Sequence, residues 1–167
     1  MTVRSPSLAD PEAMNTVAAT PQAASALAEH YHAVRARSLA LAAPLSAEDA
    51  MVQSMADASP TKWHLAHASW FFERFVLGSR PDHAPFNADW HYLFNSYYQS
   101  IGPAHARPQR GLLSRPSLDE VRDYRRRVDD QVIELLQRDA LEPIACQQLL
   151  LGLHHEQQHQ ELLLTDI

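Results

Sequence analysis

The chain has 167 residues, of which 46% are hydrophobic and 20% are charged, so it fits one globular domain and is not a disordered protein. Its formal net charge is −6, and no basic run is interleaved with aromatic residues, which argues against a nucleic-acid partner. With one cysteine, no long apolar run and no N-terminal secretion signal, we expect a cytoplasmic protein without a disulfide or a membrane span.

The N-terminal part of the chain predicts a leader followed by a first helix. Residues 1–19 are rich in proline, serine and alanine without periodicity and are expected to be disordered. Thr20 and Pro21 are a suitable cap and first-turn pair for a helix that runs to about Leu41. Its apolar stripe has helical spacing and comprises Leu27, Tyr31, Val34 and Leu41.

A second helix is predicted over residues 61–77, with a heavy apolar face, and is ended by Gly78 and Pro81. A long connection then runs from Arg80 to Pro116. Surface loops have no need of many large rings, so we expect this connection to pack over a site. Its aromatic residues include Trp90, Tyr92, Phe94, Tyr97 and Tyr98.

Two further helices complete the predicted fold. Ser117 and Glu120 form a capping box that starts a third helix, which keeps its apolar period to about Arg138. Pro143 separates this helix from a final one, and no segment has the alternation of a strand. We therefore expect an all-α four-helix bundle over residues 20–167, with the long aromatic-rich crossover between its second and third helices.

The final helix carries a pair of histidines with the spacing of metal ligands. His155 and His159 lie one turn apart on one face, which suits two ligands of one ion. On the second helix, His67 lies between aromatic residues on the heavier apolar stripe and is the preferred third ligand. His64 lies toward the edge, where it could donate to a ligand or pack against the aromatic connection. A lone histidine there would be a core residue, but three together favour a metal.

Three neutral imidazoles leave a divalent ion with its full charge, which favours an added anionic ligand such as a thiolate. Iron(II), zinc and nickel all tolerate this ligand set. Glu156 and Glu161 lie off the ligand face and are expected to face solvent or to lie behind the ligands. His154 points about 100° away from His155 and is expected to be structural.

Four other side chains are candidates for contacts with a ligand. Gln158 could orient a metal-bound water or dioxygen, or could be a solvated helix residue. The arginines of the connection, Arg107, Arg110 and Arg115, could be ordinary surface charges or could clamp the carboxylates of a small anionic substrate.

Four ordered segments resemble one known family. They are Ser-Pro-Thr-Lys-Trp-His-Leu-Ala-His-Ala-Ser-Trp-Phe-Phe-Glu (59–73), Leu-Phe-Asn-Ser-Tyr-Tyr (93–98), Arg-Gly-Leu-Leu-Ser-Arg-Pro (110–116) and His-His-Glu-Gln-Gln-His-Gln-Glu-Leu-Leu-Leu-Thr-Asp (154–166). Together they resemble the N-terminal DinB-like domain of the sulfoxide synthases of ergothioneine biosynthesis. The resemblance implies a non-haem iron(II) held by His67, His155 and His159. It also implies an O2-dependent reaction that joins the sulfur of γ-glutamylcysteine or cysteine to C2 of the imidazole of Nα-trimethylhistidine (hercynine).

The same resemblance implies roles for other residues and for a partner domain. Arg107 and Arg110 resemble an arginine pair that binds substrate carboxylates, Tyr97 and Tyr98 resemble pocket tyrosines, and Gln158 matches a glutamine beside the last ligand. Members of the family continue into a domain resembling formylglycine-generating enzymes, which is absent from this chain. We therefore expect a truncated product that binds iron without turnover on its own.

Three alternatives to this function stay open on the sequence alone. A related selenoneine synthase would share these motifs. A DinB-like thiol transferase would use zinc or nickel to activate a low-molecular-weight thiol, without oxygen or a second domain. In a purely structural bundle the histidines would be core residues.

Overall fold

The computed structural model describes residues 21–96 and 102–167, and this part of the chain is helical without a strand. The predicted helical class is thus confirmed for the described residues. The leader 1–19 lies outside them, as do Tyr97 and Tyr98. The helices are α1 (Pro21–Ala42), α2 (Thr61–Phe72), α3 (Trp90–Phe94), α4 (Leu118–Gln137) and α5 (Pro143–Asp166).

Short irregular helices extend or connect these five. A π-helical stretch, Glu73–Leu77, continues α2 to the predicted end of the second helix, and the Gly78 amide closes it on the Glu73 carbonyl at 2.8 Å. Two 3₁₀ turns lie at Asp49–Met51 and Arg107–Leu112. None of the helices in the described residues is long and apolar enough to cross a membrane.

The starts of α4 and α5 follow from their local sequences. At α4 the Ser117 hydroxyl accepts the Glu120 amide at 3.2 Å, and the Glu120 carboxylate accepts the Ser117 amide at 2.7 Å, so the predicted capping box is confirmed. At α5, Pro143 does not precede the helix but forms its first turn, where its missing N–H costs nothing.

Helix α2 lies at the centre of the packing. It contacts α4 and α5, and α1 contacts the same two helices. Every residue of α2 is buried, including its polar ones. The core around it is formed mainly by Tyr31 of α1, Tyr124 and Val128 of α4, and Leu149 and Leu153 of α5. This arrangement places both histidines of α2 inside the protein.

A buried ion network joins three of the helices. Glu156 of α5 is 1% exposed and accepts hydrogen bonds from Arg35 of α1 and Arg125 of α4, each at 2.8 Å, and from Ser38 at 2.6 Å. Burial alone would raise the pKa of Glu156, but Arg125, Arg35 and Ser38 lower it to about 2. Of the two positions expected for Glu156, the solvent-facing one is wrong, because two distant arginines stabilise its charge in the core. Glu161 is exposed, as expected.

Replacing Gly152 by alanine is expected to destabilise the fold by about 1–3 kcal/mol. A Cβ atom at this position would lie 2.5 Å from Cε1 of Phe72, whose buried ring packs edge-on against Tyr31. Without this contact, the same change inside a helix would stabilise it by about 0.5–1 kcal/mol. Urea unfolding measures the difference. In a Phe72→Leu background the cost should shrink, and an equal cost in both backgrounds would exclude the clash as its cause.

Candidate metal centre

The structure brings together the three histidines selected from the sequence as metal ligands. Ring nitrogens of His67, His155 and His159 all lie within 4.8 Å of one another. The Nε2 atoms of His67 and His155 are 3.2 Å apart, and the ring centroids of the three pairs are separated by 4.5–4.9 Å. Three imidazoles from two helices thus converge on one point.

Aromatic packing fixes the orientation of these rings. The His67 ring stacks on Trp63 at 4.5 Å and on Trp70 at 5.6 Å, one helical turn away on either side. The His155 ring stacks on Phe71 at 4.7 Å. Because α2 is buried along its whole length, these neighbours cannot rotate away, and the imidazole positions are preorganised.

The long connection also contacts the centre. The carbonyl oxygen of Phe94 lies 2.5 Å from Nδ1 of His67, and that of Leu93 accepts the Trp63 indole N–H at 3.0 Å. A carbonyl only accepts, so His67 carries its proton on Nδ1 and presents the lone pair of Nε2 to the other histidines. Nδ1 of His155, in contrast, is buried with no hydrogen-bond partner among the described residues.

His64 lies behind the cluster rather than in it. Its side chain is buried, with Nδ1 at 2.8 Å from Nδ1 of His159 and Nε2 at 3.0 Å from Oδ2 of Asp166. This contact leaves Nε2 of His159 as the nitrogen available to the cluster. Of the two positions expected for His64, the structure places it in contact with a candidate ligand.

Burial keeps the imidazoles neutral. It lowers the pKa of His155 to about 4 and, with His155 and His64 nearby, that of His159 to about 2. Burial, with His159 and His155 nearby, lowers the pKa of His67 well below its usual range, and burial also lowers that of His64. Neutral imidazole is the form that binds metal ions, so the donor set suits a divalent cation at neutral pH.

The metal-free protein is expected to lose stability as the pH falls from about 7 to about 4. Each histidine of the cluster has a lower pKa folded than unfolded, so the unfolded chain binds more protons in this range. For His155 the loss begins near its unfolded pKa of about 6.5 and is complete near the folded value of about 4.

Urea midpoints measured across this range in chelator should therefore fall, and His155→Gln should flatten part of the slope. Replacing the exposed His154 by glutamine is the matched control and should leave the slope unchanged. A midpoint that stays level or rises on acidification would contradict the prediction.

Arg110 is buried beside the centre and is not a surface charge. It is 4% exposed, and its guanidinium carbon lies 3.4 Å from the ring centroid of Trp63. Its two terminal nitrogens donate to the hydroxyls of Ser59 at 2.8 Å and Ser96 at 3.0 Å. Burial, with Arg107 nearby, lowers the pKa of Arg110 to about 9, so the side chain is still a cation at neutral pH.

The remaining candidate residues lie farther out or outside the described residues. Arg107 is partly exposed and donates to the Asp57 carbonyl at 3.4 Å, whereas Arg115 and Gln158 are exposed. Tyr97 and Tyr98 lie in the segment that the structure does not describe. The structure therefore places Arg110 beside the histidines through Trp63.

Sequence reasoning missed Asp166, which contacts His64. Its position holds a signal that could have been used, since Asp166 follows His159 by seven residues and so lies two turns along the same helix face. The Ser59 amide donates to the same Asp166 oxygen at 2.8 Å. The last turn of α5 is thereby attached to the start of α2.

Comparison with known proteins gives a family. The sequence model of the DinB superfamily matches residues 30–163 of this chain. No curated protein matches it. Because the match covers most of the 167 residues, the chain belongs to the DinB superfamily.

Proposed function

We propose that this chain is the metal-binding domain of an iron(II)- and O2-dependent sulfoxide synthase of ergothioneine biosynthesis. The reaction would join the sulfur of γ-glutamylcysteine or cysteine to C2 of the imidazole of Nα-trimethylhistidine. The observation that supports it best is the convergence of three neutral imidazoles, His67, His155 and His159, within 4.8 Å. These are the residues to which the four family-like segments assign the iron.

The donor set fits the proposed metal. It consists of neutral nitrogens, which leave a bound iron(II) its positive charge and favour a thiolate as a further ligand. When bound, the iron would supply positions at which thiol, imidazole and dioxygen come together. Trp63, Trp70 and Phe71 would hold the ligands in place and keep bulk water from two sides of the site.

Arg110 supports an anionic substrate. Its guanidinium is buried and has hydroxyl partners but no carboxylate partner, and its Nε atom has no hydrogen-bond partner among the described residues. A buried cation without a counter-ion is costly, and a substrate carboxylate would compensate for it. We propose that Arg110, with Arg107, orients the carboxylates of the thiol substrate.

The arrangement of helices supports the finer fold assignment. Since α1 and α2 each pack against α4 and α5, we assign the chain to a four-helix bundle whose long crossover joins α2 to α4. The crossover contacts the site through the Leu93 and Phe94 carbonyls. We further propose that a partner domain resembling formylglycine-generating enzymes completes the pocket for trimethylhistidine.

A second candidate function is transfer of a low-molecular-weight thiol. Membership of the DinB superfamily does not choose between the two reactions, and three neutral imidazoles equally suit zinc or nickel, which lower the pKa of a bound thiol. This reaction needs neither oxygen nor a second domain.

Metal analysis of protein purified without oxygen separates these functions. Iron at one equivalent, with a ferrous nitrosyl signal that changes on adding γ-glutamylcysteine, is expected for the synthase, and this readout needs no turnover. Oxygen uptake is then measured with both substrates, with the partner domain supplied. Zinc with oxygen-independent thiol transfer would favour the second function, and failure to bind any metal after reconstitution would exclude both.

A further inference from the structure

We infer that Asp166 and His64 form a relay that sets the tautomer of His159, so that both are positioning residues of the metal centre. The inference deepens the proposed function, because it rests on His159 being a ligand. It concerns the protonation of one nitrogen and can be tested in the metal-free protein.

The relay starts from a backbone amide. The Ser59 N–H can only donate, and it points at Oδ2 of Asp166 from 2.8 Å. That oxygen is therefore an acceptor. Nε2 of His64 lies 3.0 Å from the same oxygen, so it must carry a proton and donate it.

The proton on Nε2 determines whether Nδ1 of His64 is protonated. In a neutral imidazole only one nitrogen is protonated, so Nδ1 of His64 is an acceptor. Nδ1 of His159 is 2.8 Å away and must be the donor of this hydrogen bond. The lone pair of His159 is then on Nε2, the nitrogen that the contact leaves for the cluster.

The other two histidines differ in how their tautomers are set. His67 is fixed by a single carbonyl acceptor, that of Phe94, whereas Nδ1 of His155 has no hydrogen-bond partner among the described residues. Among the described residues, His159 is thus the ligand candidate whose Nδ1 is held by another side chain, and not by a backbone carbonyl or by no partner.

The carboxylate at the end of the relay is held by the segment before α2. Besides the Ser59 contact, the Ser54 hydroxyl donates to the backbone carbonyl of Asp166 at 2.9 Å. The end of α5 must therefore be docked for the relay to form. Docking of this last turn and a ligand-ready His159 are coupled.

The test uses protein labelled with ¹⁵N in its histidine rings and kept metal-free with chelator, in which NMR shifts distinguish the two tautomers. We expect wild-type His159 to be protonated on Nδ1. In His64→Leu and Asp166→Leu this preference should be lost, and affinity for Co(II) should fall about 10–100-fold, the range for residues that orient metal ligands. Asp166→Asn retains an oxygen acceptor for the Ser59 amide and should keep both the tautomer and most of the affinity.

Protonation of wild-type His159 on Nε2 would overturn the relay, as would an unchanged tautomer in folded Asp166→Leu. If His64→Leu fails to fold, the test uses Asp166→Leu alone. This variant is expected to fold because Asp166 is partly exposed at the helix end. Wild-type protein that shows the expected tautomer but binds no metal would refute the proposed function and leave the relay in place.

Discussion

His67→Ala is expected to abolish stoichiometric binding of iron(II). His67 is the only ligand candidate that α2 contributes, and its removal leaves two imidazoles on one helix, too few to hold a divalent ion against water. Its ring is fully buried between two tryptophans, so no other side chain can take its place. Anaerobic equilibrium dialysis followed by elemental analysis measures the bound iron.

Two matched variants make this result specific. His154→Ala removes an exposed histidine beside the pair and should leave iron binding unchanged. His64→Ala should weaken binding without abolishing it, since His64 contacts His159 rather than the cluster. Circular dichroism checks that each variant is folded. Stoichiometric iron in folded His67→Ala, or none in folded His64→Ala, would mean that the wrong histidine of α2 has been assigned as a ligand.

Glu156→Ala is expected to lower the free energy of unfolding by about 3–5 kcal/mol, the cost of breaking a buried ion pair. The change would leave the guanidiniums of Arg35 and Arg125 buried without their shared carboxylate, and each of these side chains is at most 3% exposed. A loss of this size is a large fraction of the stability of an ordinary domain, about 5–15 kcal/mol. Urea unfolding followed by circular dichroism gives the value.

Glu161→Ala is the control for this loss, because Glu161 is an exposed glutamate on the same helix and its replacement should change stability by less than about 0.5 kcal/mol. Glu156→Gln keeps the hydrogen-bond acceptor and removes the charge. Its loss of unfolding free energy should lie between those of Glu156→Ala and Glu161→Ala. If Glu156→Ala were as mild as Glu161→Ala, the network would not stabilise the fold.

The elements predicted well are those whose signals are local. The capping box at Ser117 and Glu120 uses residues three apart. Gly78 ends the second helix directly after its last predicted residue. These interactions form within one turn of helix, so neighbouring residues are enough to identify them. The helical class and the start of α4 could therefore be predicted from the sequence.

The burial of the charged residues could not be predicted from the sequence, because their partners are distant in the chain. Arg35 is 121 residues from Glu156, and Arg110 is 51 residues from Ser59. Charged residues are usually exposed, and only a partner on another helix reverses this. One sequence feature did indicate a buried charge: Arg125 interrupts the apolar stripe of α4 between Tyr124 and Val128.

The candidate site falls between these cases. His155 and His159 are one turn apart, and His67 shares a stripe with two tryptophans, so their inward direction followed from helical spacing. The contact of His64 with Asp166 and His159 depends on how the end of α5 meets the start of α2. The spacing of residues within one helix does not predict the contact between the end of α5 and the start of α2.

The complete burial of α2 has a consequence for kinetics. Its amides are expected to exchange hydrogen only when the whole domain unfolds, whereas α5 has exposed side chains along its outer face and can open locally. An arriving ion would therefore meet the partly exposed His155 before the fully buried His67. The rates of metal binding and release should therefore follow the rate at which α5 opens, while α2 keeps its position.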